Sequence, residues 1–168
     1  YGNGYKICKA SQSNSSERIM HRGGKPYYLY KDTVMTKISP FRPEWIQELS
    51  IVENLDPENS KVKFNNGHFL HQFTYFIGEV NFYYIDSDGG KKVALMNTGD
   101  SMYITPFVPH TFATRKNPKT NGLILALTYG GKLTGEFQQE LSSMSNLGHE
   151  FALDFSSIES ASSSLLKY

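Results

Sequence analysis

The segment from Gly99 to His110 constrains the fold of this chain more than any other stretch of its sequence. It begins with glycine and aspartate, continues as a short apolar strand, passes through a turn that contains two prolines, and ends on a histidine. Because these residues favour turns, the segment predicts a rigid strand end that directs an imidazole into the mouth of a barrel. A second histidine-bearing segment lies upstream at 65–72. Two inward histidines from neighbouring strands would supply two ligands of a metal site, so the identity of the third becomes the functional question.

Short strands separated by turn residues predict the fold class. Their spacing of about 8–12 residues is typical of a sandwich or a barrel. The 11 tyrosines, 11 phenylalanines and one tryptophan suit the half-buried surfaces of a β-rich core. The chain is therefore predicted to be all-β. Alternation and apolar runs place strands within 27–39, near 46–52, and at 69–76, 79–85, 91–96, 101–105, 111–115 and 123–129. A turn bounded by prolines at 40–46 is predicted to lead into the strand near 46–52.

The chain divides into three predicted parts. Residues 1–17 are rich in Gly, Ser and Asn and are expected to be flexible or irregular. Residues 18–131 contain the predicted strands, and 132–168 form a C-terminal part with a short helical pattern at 135–145 and a Ser-rich tail. This tail is interpreted either as a frayed helix or as an arm that docks on another subunit of a homo-oligomer. The chain starts with tyrosine instead of methionine, which suggests a piece of a longer protein.

The composition argues against several classes of function. The formal net charge is +1 with interspersed charges, so we expect no nucleic-acid partner. Cys8 is the only cysteine, which excludes a disulfide framework and a cysteine-rich zinc site and predicts a free surface thiol. No apolar run approaches the ~18 residues of a membrane-spanning helix, so no membrane partner is expected. No signal peptide is visible, and we predict a cytoplasmic location.

The segment that ends at His110 resembles the second metal-binding motif of the cupin superfamily. The spacing from Gly99-Asp100 to the histidine is that of the motif, although Thr105 and Phe107 stand where the superfamily usually has Pro and Gly. This resemblance implies a cupin-type double-stranded β-helix, or jelly-roll barrel, over 18–131. A short helical segment would follow it.

The upstream segment resembles the first cupin motif with two replacements. His68 matches the second histidine of that motif, whereas Asn66 stands at its first histidine and Gln72 at its glutamate. Gly78 falls one residue short of the usual gap. These departures narrow the resemblance to one branch of the superfamily.

The sequence Asn-Asn-Gly-His, followed downstream by Pro-His, resembles the cupin enzymes that oxidise 2-hydroxyethylphosphonate, over roughly 18–130. In the dioxygenases of this family a glutamate six residues before the second histidine completes the iron site, and Ile104 stands there in this chain. In the methylphosphonate synthases the third ligand is a glutamine four residues after the first histidine, which Gln72 matches. The resemblance therefore implies non-haem Fe(II) held by His68, Gln72 and His110.

General metal chemistry agrees with this ligand set. Two imidazoles and one oxygen ligand suit Fe(II) and leave positions for substrate and O₂. Residues four apart on one strand share a face, so His68 and Gln72 should point inward and His71 outward. The alternatives are that Gln72 is an amide lining the core and that the two histidines are structural. The remaining histidines match neither motif and are expected at the surface: His21 and His149.

The same family resemblance implies a phosphonate pocket. Arg22 and Tyr30 have the spacing of an arginine and a tyrosine that the family places upstream of the metal strand, and Asn65 lies three residues before the first metal histidine. Arginine and tyrosine supply the charge-assisted and neutral hydrogen bonds that a phosphonate needs. Alternatively, these residues are a surface charge, a core aromatic and a turn residue. The family also uses a lysine from another segment or subunit, which cannot be assigned here.

The resemblance implies an O₂-dependent enzyme of phosphonate biosynthesis that cleaves the carbon–carbon bond of 2-hydroxyethylphosphonate. Methylphosphonate and an oxidised one-carbon compound would be the products, with all electrons coming from the substrate. One alternative is formation of hydroxymethylphosphonate, as in the dioxygenases. Another is a non-catalytic cupin module that binds a small molecule, and metal content would separate it from the enzymes.

Overall fold

The computed structural model of the chain describes residues 4–36, 41–115 and 120–129. Within them the chain forms a short helix followed by strands, and the predicted helix at 135–145 and His149 lie outside the described residues. The elements, in chain order, are α1 (Ala10–Asn14), β1 (Arg18–Arg22), β2 (Lys25–Asp32), β3 (Phe41–Glu48), β4 (Ile51–Val52), β5 (His71–Ile77), β6 (Val80–Ile85), β7 (Lys91–Met96), β8 (Ser101–Ile104), β9 (His110–Arg115) and β10 (Leu123–Tyr129).

The strands form two sheets. The larger has the order β1-β2-β3-β10-β5-β8 and the smaller the order β4-β9-β6-β7. Neighbouring strands are antiparallel except for the short parallel pair of β4 and β9. Because the chain crosses from one sheet to the other between strands, β5 lies in the larger sheet and β9 in the smaller. Gln72 of the first motif segment therefore lies in the larger sheet, next to β8 of the second segment, whereas the histidine that ends the second segment begins β9 of the smaller sheet.

The core lies between the inward faces of these sheets. Along β5, Gln72, Thr74 and Phe76 are buried, whereas Phe73 and Tyr75 on the opposite face are 40% and 38% exposed. This alternation is the period of two that a half-buried strand requires. Burial of the apolar side chains in the core drives the sheets together. The main core cluster consists of Tyr27, Tyr28, Ile46, Phe76, Val80, Ile104, Phe112, Ile124 and Ala126.

The predicted all-β class is confirmed, and the strands predicted from 69 onward are present with small shifts of their ends, whereas β1 was not predicted and β2 ends at Asp32. One local interpretation was wrong: 40–46 was expected to be a turn bounded by prolines, but β3 already begins at Phe41. Pro43 lies just beyond the last pair that joins β2 to β3, Asp32 with Glu44. Proline has no amide proton, so it is tolerated where one side of a strand has no paired neighbour, as on the β2 side of β3 at Pro43.

The N-terminal part contains structure that the composition did not predict. The helix α1 lies inside 1–17, and two serines hydrogen-bond this part to β2. Ser13 Oγ donates to the carbonyl of Asp32 at 2.6 Å, and Ser16 Oγ accepts from the amide of Asp32 at 2.8 Å. Cys8 is unpaired and partly exposed, as expected. Among the described residues, no helix is long and apolar enough to cross a membrane.

Candidate metal centre

His110 is the first residue of β9, and its ring is fixed by hydrogen bonds on both sides. Its Nδ1 donates to the carbonyl of Val108 at 2.7 Å. Its backbone amide donates to Oδ1 of Asn65 at 2.8 Å, and Asn65 Nδ2 lies 3.2 Å from Nε2 of the ring. Because Nδ1 carries the proton, the lone pair of Nε2 faces the Asn65 amide, and that amide would have to move aside for Nε2 to bind a metal.

His68 lies in the loop before β5, not on the strand itself. Its Nδ1 donates to the carbonyl of Leu70 at 2.6 Å, and its carbonyl accepts from the amide of Phe107 at 2.9 Å. Its Nε2 lies 3.1 Å from Oε1 of Gln72. The two side chains therefore meet as predicted, but the argument that they share one strand was wrong. The loop, anchored to the 105–109 turn, brings them together.

A close backbone approach holds this loop in place. A Cβ added to Gly67 would lie 2.5 Å from the carbonyl carbon of Phe107, and Gly67 has a φ of 79°. Both facts require glycine at this position. Phe107 also has a positive φ, 67°, at the position where cupins usually have glycine. The two segments that carry the histidines are thus packed backbone against backbone.

Gln72 completes the candidate ligand set from β5. It is 5% exposed, and its Nε2 donates to Thr74 Oγ1 at 2.8 Å, so that Oε1 faces His68. In the antiparallel pairing of β5 with β8, Gln72 lies opposite Ile104. Opposite residues on neighbouring strands have Cβ atoms about 5 Å apart, so a ligand from either position would reach the same place.

The three side chains fit a metal ion. With both Nδ1 atoms committed to carbonyls, His68 Nε2 and Gln72 Oε1 present lone pairs to each other at 3.1 Å. Two ligand atoms that each lie about 2.1 Å from one ion, at right angles as seen from the ion, are about 3.0 Å apart. Two lone pairs at this distance repel each other, and a cation bound by both would make the contact favourable. The ring centroids of His68 and His110 are 5.1 Å apart, and the rings are arranged edge to face. Within the described parts of the chain, no group of three or more His, Cys, Asp or Glu is placed to hold a metal. The amide is therefore essential to this donor set.

Burial keeps both imidazoles neutral. Burial, together with the nearby positive charges of His68 and Arg22, lowers the pKa of His110 to about 4, while the hydrogen bond to Val108 acts in the opposite direction. Burial also lowers the pKa of His68. A neutral imidazole is the form that binds a metal, so these shifts preserve the ligands in mildly acidic solution.

Arg22 and Tyr30 line the same cavity as the candidate ligands. The cavity has a volume of about 70 Å³. Tyr30 is largely buried, which raises its pKa to about 12, and its hydroxyl has no hydrogen-bond partner among the described residues. The residues that line the cavity are Arg22, Tyr28, Tyr30, Ile46, Asn65, His68, Gln72, His110 and Phe112. All six sequence-predicted site residues are among them.

A network of hydroxyl groups fixes Arg22 at the edge of the cavity. Its Nη1 donates to the carbonyl of Lys63 at 2.6 Å and to Thr111 Oγ1 at 3.2 Å. Thr111 Oγ1 in turn donates to Tyr27 at 3.1 Å and lies 2.8 Å from the hydroxyl of Tyr28. The guanidinium also lies over both rings, 5.3 and 5.0 Å from their centroids. These contacts leave Nη2 and Nε of Arg22 for an anion.

Of the other histidines, the two within the described residues lie where the sequence predicts. His71 is on the outer face of β5, hydrogen-bonded to the hydroxyl of Tyr103 and stacked on Tyr129 at 5.4 Å between ring centroids. His21 is exposed on β1. Sequence reasoning missed Thr74, Tyr28 and Thr111, because neither hydroxyl-bearing strand residues nor core tyrosines carry a motif. Their proximity to the site follows only from the pairing of the strands.

Comparison with curated proteins shows which proteins the chain resembles. The chain is 66% identical over 166 residues to methylphosphonate synthase of Nitrosopumilus maritimus (strain SCM1), which is 98% of this chain and 36% of the relative. The chain is therefore similar to methylphosphonate synthase over nearly its whole length. It is also 32% identical over 104 residues to (S)-2-hydroxypropylphosphonic acid epoxidase of Streptomyces wedmorensis, covering 61% of the chain and 50% of that relative. The chain thus spans between about a third and a half of these relatives, and no protein-family model matches it.

Solved structures of iron oxygenases share its fold. HEPD of Streptomyces albus, solved with 2-hydroxyethylphosphonate and Fe(II) bound, aligns with a TM-score of 0.74 and 47% identity over 83% of this chain and 31% of that one. The Fe(II) form of the epoxidase HppE with an alternative substrate aligns with a TM-score of 0.61 and 27% identity over 76% of this chain and 61% of that one. The predicted cupin-type fold is confirmed.

Proposed function

We propose that this chain forms the iron site of an O₂-dependent enzyme that converts 2-hydroxyethylphosphonate to methylphosphonate with cleavage of the carbon–carbon bond. One observation carries the proposal. Two neutral imidazoles, an amide oxygen, an arginine and a buried tyrosine face a single cavity. The similarity to methylphosphonate synthase supports the same assignment. Because the chain spans 36% of that relative, the activity is proposed for the protein that contains this chain.

The metal end of the cavity would hold Fe(II) through His68, Gln72 and His110. Bound Fe(II) supplies the ability to activate O₂ and oxidise an alcohol. The protein contributes neutral ligands, so the site retains the full positive charge of the ion. A site of this charge favours a dianionic substrate that binds through its own oxygens.

The anion end would hold the phosphonate group. Arg22 offers Nη2 and Nε, and Tyr30 offers a hydroxyl that burial keeps protonated, since its pKa is raised to about 12. Asn65 Nδ2, which lies 3.2 Å from Nε2 of His110, stands between the two ends and could donate to a phosphonate oxygen near the metal. Charge-assisted hydrogen bonds of this kind are stronger than neutral ones and orient the substrate for reaction.

The surface next to Arg22 favours an anionic substrate. Arg22 also lines an outer groove of about 490 Å³, whose other charged lining residues are all cationic: Lys25, Lys61 and Lys63. A groove of one charge sign raises the local concentration of oppositely charged molecules and accelerates their association. The groove therefore supports a phosphonate, not a neutral alcohol, as the substrate.

Formation of hydroxymethylphosphonate is the second candidate activity. HEPD, which aligns with this chain, carries the same substrate in its structure. The apolar Ile104, which lies opposite Gln72, favours the methylphosphonate outcome because this position carries the carboxylate in the family's dioxygenases. A non-catalytic binding module is the third candidate, and bound iron in the purified chain would count against it.

Phosphorus NMR of the products tests the proposal. The chain is incubated with 2-hydroxyethylphosphonate, Fe(II) and O₂, and iron is quantified in the same preparation. We expect one iron per chain and a methylphosphonate signal that His110→Ala abolishes. A hydroxymethylphosphonate signal would replace the first candidate by the second, and absence of both iron and turnover would favour the binding module.

Several features of the sequence interpretation belong to this proposal as predictions. We infer that the protein is a homo-oligomer in the cytoplasm, that O₂ is its co-substrate, and that a lysine from another segment or subunit completes the phosphonate site. The division of the chain at 17 and 131 is likewise a prediction. Limited proteolysis would test the division, and size-exclusion chromatography with light scattering would test the oligomer.

A further inference from the structure

We propose that residues 135–145 form an amphipathic helix that packs on the outer face of the larger sheet. The outer face consists of the side chains that β3, β10, β5 and β8 direct away from the core. The contact lies on the opposite side of this sheet from the cavity and does not depend on the proposed metal site. It gives an apolar surface, which plays no part in the proposed function, a partner within the same chain.

The outer face is apolar where an antiparallel sheet usually meets water. β10 directs Ile124 and Ala126 into the core, and the residues that alternate with them point the other way and are all leucine: Leu123, Leu125 and Leu127. A strand with one solvated face normally alternates between apolar and polar residues, whereas a continuous apolar run is typical of a strand covered on both sides. The sequence of β10 is therefore that of a strand with two covered faces.

The neighbouring strands extend this surface on both sides of β10. Leu125 lies between Trp45 of β3 and Tyr75 of β5. Farther along the sheet, Phe73 of β5 pairs with Tyr103 of the edge strand β8, and Tyr103 is 53% exposed. Contiguous exposed apolar side chains mark surfaces that bind a partner. The outer face thus has the character of a contact surface across four strands.

The smaller sheet shows how this fold covers such a face. Its outward residues Tyr83 and Ala113 belong to a second core cluster, to which the loop between β4 and β5 contributes Val62, with Phe64 packed against it. Tyr83 is thereby completely buried. In the part of the chain that the structure describes, no loop or helix covers Tyr75 in this way, since 38% of it remains exposed. A cover for the larger sheet would come from outside the described residues.

The sequence that follows β10 has the pattern that this face requires. Within 135–145, Phe137, Leu141 and Met144 recur at intervals of four and three residues, which places them on one side of a helix, with Gln139 on the opposite side. Such a helix would be about 16 Å long, and four strands at their usual spacing span about 14 Å, so one helix can cross the face. Packing of the apolar side supplies most of the stability of an amphipathic helix.

The connection between β10 and this segment permits the contact. Tyr129, the last residue of β10, is itself part of the outer face, stacked on His71 of β5. Residues 130–134 join it to the helical pattern, and when extended they reach about 17 Å. They begin with two glycines, which lets the chain reverse its direction at the end of the strand. The segment can therefore lie over either neighbour of β10.

Two aromatic residues of the outer face report its exposure in the 168-residue chain. Tetranitromethane nitrates accessible tyrosines, and mass spectrometry gives the rate at Tyr75. Tyr5, which is 73% exposed and lies outside the face, is the internal reference. Trp45 is the only tryptophan of the chain, so quenching of its fluorescence by acrylamide gives a second, independent measurement.

The test compares substitutions on the two sides of the proposed helix. We expect the double variant Phe137→Asp/Leu141→Asp to raise the nitration rate of Tyr75 about three- to ten-fold and the quenching constant of Trp45 about two-fold, because a charge in an apolar contact opens it. Gln139→Asp is the matched control on the opposite side, and both quantities should change by less than about 1.5-fold. The rate at Tyr5 should stay constant in every variant.

Unchanged exposure of Tyr75 in the double variant, or equal increases in the double variant and the control, would overturn the contact. Protection that grows with protein concentration, accompanies a dimer in light scattering and ignores the substitutions at 137 and 141 would overturn it in favour of a second copy of the chain. A cooperative thermal transition shows that a variant is folded. If the double variant does not fold, Leu141→Ser is measured instead, and a rate equal to that of the parent then overturns the proposal.

Discussion

The two ends of the cavity are held in place by different kinds of contact. At the metal end the ring of His68 is fixed by Leu70, and that of His110 by Val108, each two residues away. At the anion end Arg22 is held by groups 41 and 89 residues away in the chain. The imidazole rings at the metal end are thus oriented by local bonds, although contacts with Asn65 and Phe107 bring their segments together, whereas Arg22 at the anion end is held only by long-range contacts.

This difference predicts how each end responds to change. The orientation of the metal ligands is encoded close to the ligands themselves, so it should survive changes elsewhere. Arg22 lies on β1, an edge strand of the larger sheet whose other residues are exposed. Its position depends on the loop that carries Lys63 and on β9. We therefore expect metal binding to be robust and substrate binding to be sensitive to distant substitutions.

The largest effect is expected at the metal end. His110→Ala removes an imidazole ligand and should reduce iron affinity at least about a hundred-fold and abolish turnover. His71→Ala is the matched control, because His71 lies on the outer face of the same sheet as Gln72. Iron content and product formation are measured for both. Equal losses in the two variants would show that the assignment of faces is wrong.

Replacement of the amide ligand should have the next largest effect. Gln72→Ala should weaken iron binding by about ten- to a hundred-fold, because one of three ligands is lost. Gln72→Glu should retain iron, since carboxylate is a good iron ligand, but its added negative charge should weaken substrate binding and slow turnover or shift the products. Iron stoichiometry and the ratio of methylphosphonate to hydroxymethylphosphonate measure both effects. Wild-type values for both variants would remove Gln72 from the ligand set.

At the anion end the expected loss is in substrate affinity, with iron retained. Arg22→Gln and Tyr30→Phe each remove hydrogen bonds to a charged group, about 1.5–3 kcal/mol or ten- to a hundred-fold in affinity. Anaerobic titration with 2-hydroxyethylphosphonate measures this, with His21→Ala on the same exposed strand as the control. Asn65→Ala should weaken substrate binding similarly, but because Asn65 also accepts from the amide of His110, it should affect both ends. Unchanged substrate affinity in Arg22→Gln and Tyr30→Phe would contradict the pocket.

A smaller effect tests whether long-range contacts hold Arg22. Thr111→Val removes one hydrogen bond to the guanidinium and two to tyrosine hydroxyls, without touching the proposed substrate. We expect substrate affinity to fall about three- to ten-fold while iron affinity stays within about two-fold, since the imidazole bonds are independent of Thr111. A larger loss of iron than of substrate affinity would show that the two ends are not organised separately.

The smallest effect expected is that of mild acid on metal binding. Burial lowers the pKa of His110 to about 4 and also lowers that of His68, so protons should compete with the metal for His110 only near pH 4 and for His68 only below the ordinary imidazole pKa. Iron affinity should therefore change by less than about three-fold between pH 7.5 and 5.5, whereas ligands with an ordinary imidazole pKa of about 6.5 would lose far more. Co(II) titration at several pH values measures this. A midpoint near pH 6.5 would contradict the buried, neutral state of the rings.

Much of the fold was accessible to sequence reasoning because it depends on local patterns. The alternation along 71–77 predicts which residues of β5 face inward, and the turn residues around Gly99 predict where β8 begins. The segment around Pro43 was wrongly predicted to be a turn. A proline within a strand is tolerated here because β2 no longer pairs with β3 at that position, and this pairing is not visible in the sequence. The helix α1 was missed because its serines are ordered by bonds to β2, not by helix propensity.

For the site, the sequence by itself determined the types of ligand and their spacing, together with the resemblance that predicts their roles. Only the tertiary structure decided how they meet. His68 reaches Gln72 through a loop packed against Phe107, and the hydroxyls of Thr74 and Thr111 approach the site because of strand pairing and sheet packing. The physical reason is the separation along the sequence of the residues that interact. A turn or an alternating strand is specified by neighbouring residues, whereas a hydrogen bond between residues 89 positions apart exists only after the two sheets have closed on a common core.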